Sequence, residues 1–122
     1  MIKFLTLTDA IRITQRLGFF IKDPGLLEGA LARPQTTVFG QDAYPEFELK
    51  VAAMMHSIIK NHPMIDGNKR TAWSLAVIFM FMNDYKHNFS EEKSFDLVLG
   101  IATDKYDIVE AAKIIRTHLI RR

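Results

Sequence analysis

Two strongly apolar stretches of helical character flank one short polar loop, and this arrangement constrains the fold more than any other feature of the sequence. In the first stretch, apolar side chains recur every three or four positions, at Phe47, Val51, Met54, Met55, Ile58 and Ile59. The second stretch, Thr71 to Met80, is apolar on almost every face, which predicts a helix at the centre of the core. Because the residue before a proline avoids helical backbone, the first helix should end near Asn61, before Pro63. The sequence therefore predicts two central helices joined by the loop His62 to Arg70.

The bulk composition is that of one ordinary domain. The chain has 122 residues, of which 48% are hydrophobic, and we expect a single domain over residues 1–122. Lysine and arginine exceed aspartate and glutamate by 16 to 14, an excess too small to indicate binding to nucleic acid or to a membrane. Cysteine is absent, which excludes disulfides and thiolate metal sites and favours a cytoplasmic location. The N-terminus lacks the long apolar core of a signal peptide, and the longest apolar run is about half of the roughly 18 residues that span a bilayer.

Local signals predict two helices before the central pair. Thr6 or Thr8 can cap a helix over Ala10 to Leu17. Its apolar stripe is predicted to consist of Ile11, Ile13, Leu17 and Phe20. The pair Asp23-Pro24, a cap followed by a first-turn proline, predicts a second, short helix. The next segment, Gln35 to Gly40, mixes β-branched residues with glycine and predicts a small hairpin or an extended flap.

Two more helices are predicted after the central pair. Asn88 and Ser90 can cap a helix whose apolar positions are Phe95, Leu97, Val98 and Ile101. Asp107 and Glu110 resemble a capping box, and they open a last helix with apolar positions Ile108, Ala111, Ala112, Ile115 and Leu119. Its C-terminal end should carry the cations Arg116, Arg121 and Arg122. The predicted fold class is all-α, a compact bundle of about six helices with one small β-hairpin flap.

The central loop combines a base, a carboxylate, a turn-forming glycine, an amide and two cations, which are His62, Asp66, Gly67, Asn68, Lys69 and Arg70. An imidazole, with a pKa of about 6.5, can take a proton from a hydroxyl nucleophile near neutral pH. A lone carboxylate suits Mg²⁺, the ion that accompanies a triphosphate. The glycine permits a sharp turn, while the amide, the two cations and the free N–H groups of the next helix can bind phosphate. Together these residues indicate phosphoryl or nucleotidyl transfer.

Each residue alone has a simpler interpretation. The histidine could cap the preceding helix, the Asp-Gly-Asn triplet is a common turn, and two cations are often a solvated helix face. The combination in this order favours a functional site.

Trp73, in the apolar stretch that follows the loop, is expected in the core.

The loop resembles the signature of the Fic/Doc family, H-P-F-x-D/E-G-N-G-R-x-x-R. The matching residues are His62, Pro63, Asp66, Gly67, Asn68 and Arg70. Met64 replaces the phenylalanine, a change of one apolar anchor for another. Lys69 replaces the second glycine, and Trp73 stands where AMP-transferring members have their second arginine. Both departures, and the segment from Asp23 to Gln35, look like the death-on-curing branch of the family.

The resemblance implies a toxin of a toxin–antitoxin pair with a six-helix all-α fold. In this branch ATP and Mg²⁺ are used to transfer the γ-phosphate to a threonine of elongation factor Tu, which blocks translation. Carried over to this chain, His62 is the base and Asp66 the Mg²⁺ ligand. The phosphate cradle would consist of Gly67, Asn68, Lys69 and Arg70. The implied partners are an antitoxin similar to Phd, with a disordered C-terminal tail, and a protein substrate similar to elongation factor Tu.

Two other functions stay open at this stage. Transfer of AMP to a protein hydroxyl is the first, because the departures at Lys69 and Trp73 disfavour it without excluding it. The second is a binding module with a silent loop, although such a relic would be expected to have lost His62 or Asp66.

Two further features admit more than one interpretation. The spacing of His56 from His62 is unsuited to a metal site, so His56, His87 and His118 are expected to be core or surface histidines. Val38 and Phe39 of the flap either pair with a target peptide or pack against the domain.

Overall fold

The computed structural model of the chain describes residues 1–122 and contains six α-helices and two small antiparallel sheets. The helices are α1 Leu7–Leu17, α2 Pro24–Ala32, α3 Phe47–Asn61, α4 Asn68–Met82, α5 Glu91–Ala102 and α6 Ile108–His118. A 3-10 turn, Arg33–Gln35, follows α2, and the strands are β1 Thr37–Val38, β2 Gln41–Asp42, β3 Tyr85–His87 and β4 Leu119–Arg121. The predicted helical bundle with a small hairpin is thus confirmed. None of the helices combines the length and the apolar character needed to cross a membrane.

Four of the six helices, α1, α2, α5 and α6, begin at side-chain caps that the sequence predicts. Thr6 and Asp9 form a capping box at the start of α1, in which the Asp9 N–H donates to Thr6 Oγ1 over 3.1 Å and the Thr6 N–H donates to Asp9 Oδ2 over 2.9 Å. Asp23 caps α2 and Ser90 caps α5 through their side-chain oxygens. A second capping box opens α6, as predicted. These short-range contacts determine the boundaries of the elements.

Helix α3 is the centre of the core. It packs against α2, α4, α5 and α6, and its side chains are buried on nearly every side. The expectation that α4 is a buried core helix is confirmed, since every residue from Thr71 to Met80 is buried or half-buried and α4 packs against α1, α3, α5 and β3. Its fully buried residues lie on one face, and Phe81, at its C-terminal end, is 56% exposed. Helix α3 is the more completely buried of the two.

Several apolar residues predicted to face the core are on the surface instead. In α1 the buried positions are Ala10 and Thr14, whereas Leu17 is 41% exposed. Phe20 follows the helix and is 74% exposed, and Phe95 of α5 is 62% exposed. An apolar stripe indicates that this face of the helix is covered, but it does not identify the surface that covers the face.

The C-terminus forms a strand that the sequence did not predict. Helix α6 ends at His118, and β4 pairs with β3 in the register Tyr85↔Arg121, Lys86↔Ile120 and His87↔Leu119. The expectation that Leu119, Arg121 and Arg122 belong to the last helix is therefore wrong. The guanidinium of Arg121 lies 4.9 Å from the centre of the Tyr85 ring, and that of Arg122 lies 3.6 Å from the Phe81 ring. The pairing with β3 and these two ring contacts hold the chain end on the domain.

Candidate active site

His62 lies at the point where α3 ends. Its backbone is left-handed, with φ 53° and ψ 60°, and its N–H donates to the Ile58 carbonyl over 3.2 Å. The backbone of His62 therefore closes the helix. Its side chain is exposed and forms no hydrogen bond within the chain, so the imidazole is free to act on a ligand.

Gly67 makes the predicted turn before α4. Its φ is +76°, a conformation that residues with a Cβ rarely adopt, and a Cβ at this position would lie 2.4 Å from Cε1 of Phe19. The ring of Phe19, from the segment after α1, therefore packs directly on the turn. Only glycine fits this close approach without movement of the ring.

The side chain of Asp66 takes part in the turn through one oxygen only. Oδ1 accepts the Gly67 N–H over 2.8 Å, and Oδ2 has no partner in the structure. The chain contains no group of three or more histidine, aspartate or glutamate side chains that could hold a metal ion. Asp66 is thus a single exposed carboxylate with one oxygen unpaired. Mg²⁺ accepts one protein carboxylate when phosphate and water oxygens complete its shell.

Asn68 holds the loop in shape. Its Oδ1 accepts the Met64 N–H over 2.9 Å, and its Nδ2 donates to the Met64 carbonyl over 3.2 Å. Met64 itself is completely buried and anchors the loop in the core, as predicted for an apolar residue at this position. One N–H of the Asn68 amide is thereby used inside the loop, so the second is the one left for a ligand.

A segment distant in sequence supports the loop from outside. Ile21 and Met64 form an antiparallel bridge, and the Pro63 carbonyl accepts the N–H groups of Lys22 and Asp23 over 2.8 and 3.0 Å. The Ile65 N–H donates to the Phe20 carbonyl over 3.0 Å. The sequence does not predict this support, because no local pattern marks a pairing between residues some forty positions apart.

The two cations of the loop lie in the first turn of α4 and have no acidic partner. The two ion pairs in the structure join Lys50 to Asp42 and Lys60 to Asp104. No acidic residue lies in the first turn of α4, and no side chain caps its N-terminus. Because the helix dipole is positive at this end, Lys69 and Arg70 are unfavourably placed unless an anion binds between them and the free N–H groups.

All six predicted site residues line one open cleft of about 520 Å³, named here the loop cleft. It is lined by Ile59, Lys60, His62, Ile65, Asp66, Gly67, Asn68, Lys69, Arg70 and Ala102. A proton acceptor, a carboxylate oxygen without a partner and two cations without acidic partners thus share one cavity. This combination suits the transfer of a phosphorus-containing group.

The sequence matches the model of the Fic/DOC family over residues 4–80, which is more than half of the chain and includes the whole loop. The chain belongs to the Fic/DOC family. Over 90 residues it is 43% identical to toxin Doc of Mycolicibacterium smegmatis (strain ATCC 700084 / mc(2)155), which covers 72% of this chain and 69% of that protein. Over 96 residues it is 29% identical to protein kinase doc of Escherichia phage P1, covering 79% of this chain and 75% of that protein. The predicted resemblance to the Doc branch is confirmed.

The flap of this Fic/DOC protein is a two-stranded hairpin. At its tip, Phe39 and Gly40 both have positive φ, 52° and 78°, and the side chain of Phe39 is 102% exposed. Val38 is 54% exposed, so of the two interpretations, packing of these side chains against the domain is wrong. An exposed apolar tip is available to a partner.

Two cations on neighbouring elements anchor the base of the flap. The amine of Lys50, buried in α3, donates to the Tyr44 carbonyl over 2.5 Å and to Asp42 Oδ2 over 3.3 Å. The guanidinium of Arg33 donates to the Tyr44 hydroxyl over 3.0 Å and to Ser57 Oγ over 2.8 Å. The sequence does not predict either contact, since the partners of both cations lie on other elements.

The remaining histidines lie outside the loop cleft. His56 is half-buried, with Nδ1 3.1 Å from the Arg33 guanidinium, and burial and then this cation lower its pKa. His87 and His118 flank Phe89, and burial lowers the pKa of both.

Trp73, expected in the core, is half-buried and meets Phe89 edge-on at 5.2 Å. Its exposed part lines the cavities beside α4.

Proposed function

We propose that this Fic/DOC protein is a toxin that transfers the γ-phosphate of MgATP to a threonine or serine hydroxyl of a translation factor similar to elongation factor Tu. The observation that carries the proposal is the placement of Lys69 and Arg70, both without an acidic partner, beside His62 in the loop cleft. A triphosphate supplies the anion that these cations and the N-terminus of α4 lack. The kinase named among the relatives supports the choice of reaction.

In the proposed reaction, His62 accepts the proton of the attacking hydroxyl as its oxygen bonds to the γ-phosphorus. The bond between that phosphorus and the bridging oxygen to the β-phosphate breaks, and ADP leaves. Lys69 and Arg70 stabilise the charge on the phosphates, and Asp66 would hold Mg²⁺ through its free oxygen. Bound Mg²⁺ would neutralise further phosphate charge.

Transfer of AMP is the second candidate, because the loop shares the family's core residues. In that reaction the departing pyrophosphate needs a clamp, and an arginine one helical turn beyond Arg70 would provide it. This chain has Trp73 there and a lysine at the position of the second signature glycine. Both differences favour the kinase reaction, since the first removes a bidentate anion contact and the second adds charge at the turn.

We further propose an antitoxin similar to Phd as the partner of this protein. An open groove of about 830 Å³ between α1 and α4 has apolar walls that include Ile13, Val77 and Ile78, with Arg12 and Arg16 at its edge. The disordered tail of an antitoxin could become ordered there and bury apolar side chains. The name of one relative, toxin Doc, supports the existence of such a partner.

The test is incubation of the pure protein with a cell extract and ATP labelled at either the α- or the γ-phosphate. We expect the γ-label on one protein band and a mass increase of one phosphoryl group, whereas the α-label on that band would establish AMP transfer. His62→Ala should lower the rate by about 10² to 10⁴ without unfolding the protein. His118→Ala, which changes a histidine outside the loop cleft, is the matched control. Full activity of folded His62→Ala would contradict the proposed role, and no transfer of either label would favour a silent binding module.

A further inference from the structure

Arg33 connects three parts of the chain at the base of the flap. Its backbone carbonyl accepts the N–H and the hydroxyl of Thr36, directly before β1, over 3.0 and 2.7 Å. Its guanidinium donates to the hydroxyl of Tyr44, shortly after β2, over 3.0 Å. In α3 the same group donates to Ser57 Oγ over 2.8 Å and lies 3.1 Å from His56 Nδ1. One residue thus joins both ends of the hairpin to the central helix.

The side-chain contacts of Arg33 depend on its shape more than on its charge. Neither of the ion pairs in the structure includes Arg33, and its acceptors are two hydroxyl oxygens and a histidine nitrogen. A guanidinium presents its N–H groups in a planar fork of fixed directions, so it can hold several acceptors at set distances. A lysine amine on a flexible chain has the same charge without that fork. Arg33 therefore sets the distance between the flap and α3.

Burial of the flap does not explain why its base is held in this way. All four strand residues are exposed, and a two-stranded hairpin is at best marginally stable by itself. Lys50 of α3 donates to the Tyr44 carbonyl, so Tyr44 is held at its backbone by one cation and at its hydroxyl by another. These contacts fix the orientation of a surface element whose strands add no side chain to the core.

The flap is held close to the proposed base. Ser57 precedes His62, the cap of the same helix, by a rise of about 7.5 Å along the axis. Arg33, Thr36 and Asn61 line one cavity of about 360 Å³, so the flap base and the neighbour of His62 border the same space. Because α3 is buried on nearly every side, its end does not shift independently of the domain. The flap therefore has a fixed position relative to His62.

We infer that Arg33 is a positioning residue for the protein substrate. Because it holds the flap relative to His62, a substrate segment that pairs with the flap edge presents its hydroxyl to the imidazole. The inference rests on the proposed function, in which that substrate is similar to elongation factor Tu. It adds a residue outside the loop cleft that acts on the binding of the protein substrate and not on that of ATP.

Arg33→Lys provides the test, since it keeps the charge and removes the fork. We expect the KM for purified elongation factor Tu to rise about tenfold, because ordering the flap on binding then costs about 1.4 kcal/mol. The kcat of γ-phosphate transfer and the KM for ATP should stay unchanged, since the contact is lost equally from the ground state and the transition state. A general loss of stability would instead lower the amount of active protein without changing either KM.

A second variant removes only one of the contacts. Tyr44→Phe takes away the hydroxyl that Arg33 binds and should raise the same KM by a smaller factor. Since the two groups act through one contact, adding Tyr44→Phe to Arg33→Lys should change that KM no further. Arg121→Lys is the matched control, because Arg121 lies over the Tyr85 ring in the other sheet, and it should leave both KM values unchanged.

Amide hydrogen exchange reports on the flap without any reaction. The Ala43 N–H donates to the Thr36 carbonyl over 2.8 Å at the base of the hairpin. This N–H should exchange faster in Arg33→Lys than in the parent, because the base of the flap opens more often. An unchanged rate of exchange would show that Arg33 does not hold the flap and would overturn the inference.

The outcomes separate this inference from the proposed function. The Kd of elongation factor Tu is measured with a non-hydrolysable ATP analogue, so that binding is determined without transfer. If the parent transfers the γ-phosphate but Arg33→Lys retains the KM and the Kd for elongation factor Tu, only this inference fails. If Arg33→Lys binds elongation factor Tu about tenfold more weakly while the parent transfers no label, the role of Arg33 is supported and the proposed reaction is wrong.

Two further results would count against the inference. An equal rise of the KM for ATP, or a fall in kcat with both KM values unchanged, would overturn it, because Arg33 would then act on the loop cleft. No binding of elongation factor Tu to the parent would overturn both the inference and the proposed substrate.

Discussion

Replacement of Gly67 by alanine should destabilise the protein more than the same replacement at Gly18. Both glycines have positive φ, +76° and +80°, so each alanine variant must adopt a left-handed backbone at a cost of about 1–2 kcal/mol. A Cβ at Gly18 would have no atom within 4 Å, whereas a Cβ at Gly67 would lie 2.4–2.6 Å from three carbons of the Phe19 ring. Gly18→Ala is therefore a matched control, because it measures the cost of the left-handed backbone alone.

The extra cost at Gly67 follows from the displacement of that ring. Carbon atoms pack at about 3.5–4.0 Å, so the ring must move by roughly 1 Å. Overpacking of this kind costs about 1–3 kcal/mol, which brings the Gly67→Ala total to about 2–5 kcal/mol. For a domain of this size, ~4 °C of melting temperature is lost per kcal/mol, which predicts a loss of about 8–20 °C for Gly67→Ala and of about 4–8 °C for Gly18→Ala.

Thermal unfolding followed by circular dichroism measures both losses under the same conditions. In a Phe19→Leu background, Gly67→Ala should cost only the backbone part, because the shorter side chain does not reach the new methyl group. The loss of the double variant relative to Phe19→Leu alone should then equal that of Gly18→Ala relative to the parent. Equal losses of melting temperature in Gly67→Ala and Gly18→Ala would refute the reasoning. The Phe19 ring would then move aside without loss of stability, and the close approach would not require a glycine.

Three other changes test the loop and its surroundings. Asp66→Asn should keep the turn but remove the charge proposed to hold Mg²⁺, so the rate of γ-phosphate transfer should fall far more than the melting temperature. An equal fall of both would make Asp66 structural. Asn68→Ala removes both bonds to Met64 and should cost about 1–3 kcal/mol in urea unfolding, and an unchanged midpoint would contradict the bracing role. The pKa of His56 is lowered by burial and by Arg33, so the unfolded chain binds that proton more tightly and stability should fall as the pH drops below about 6.5. His56→Asn should reduce this slope in melting temperature against pH, and an identical slope would argue against His56 as the group responsible.

Much of this fold could be predicted from the sequence because the signals are local. Caps such as Thr6, Asp23 and Asp107 satisfy N–H groups within the next three residues, so they mark helix starts wherever the helix packs. The same applies to the loop, in which Pro63 and Gly67 impose backbone limits that depend on nothing outside it.

The features that the sequence did not predict are contacts between residues far apart in the chain. The pairing of β3 with β4 joins residues more than thirty positions apart, and no pattern in Leu119–Arg121 distinguishes a strand from the last turn of a helix. The packing of Phe19 on Gly67 and the bridge from Ile21 to Met64 are of the same kind. Such contacts depend on how the helices dock, which periodicity does not specify.

The candidate active site also has some features that are local to the sequence and others that depend on packing. The sequence by itself determined which chemical groups the loop carries and that they lie between two helices, because the residue types and the turn are local properties. Only the tertiary structure decided that Asn68 braces the loop, that Lys69 and Arg70 lack acidic partners, and that Leu17 and Phe95 face an open groove instead of the core. The physical reason is that an apolar or charged side chain has a fixed preference for its surroundings, while the identity of those surroundings is set by the packing of the whole chain.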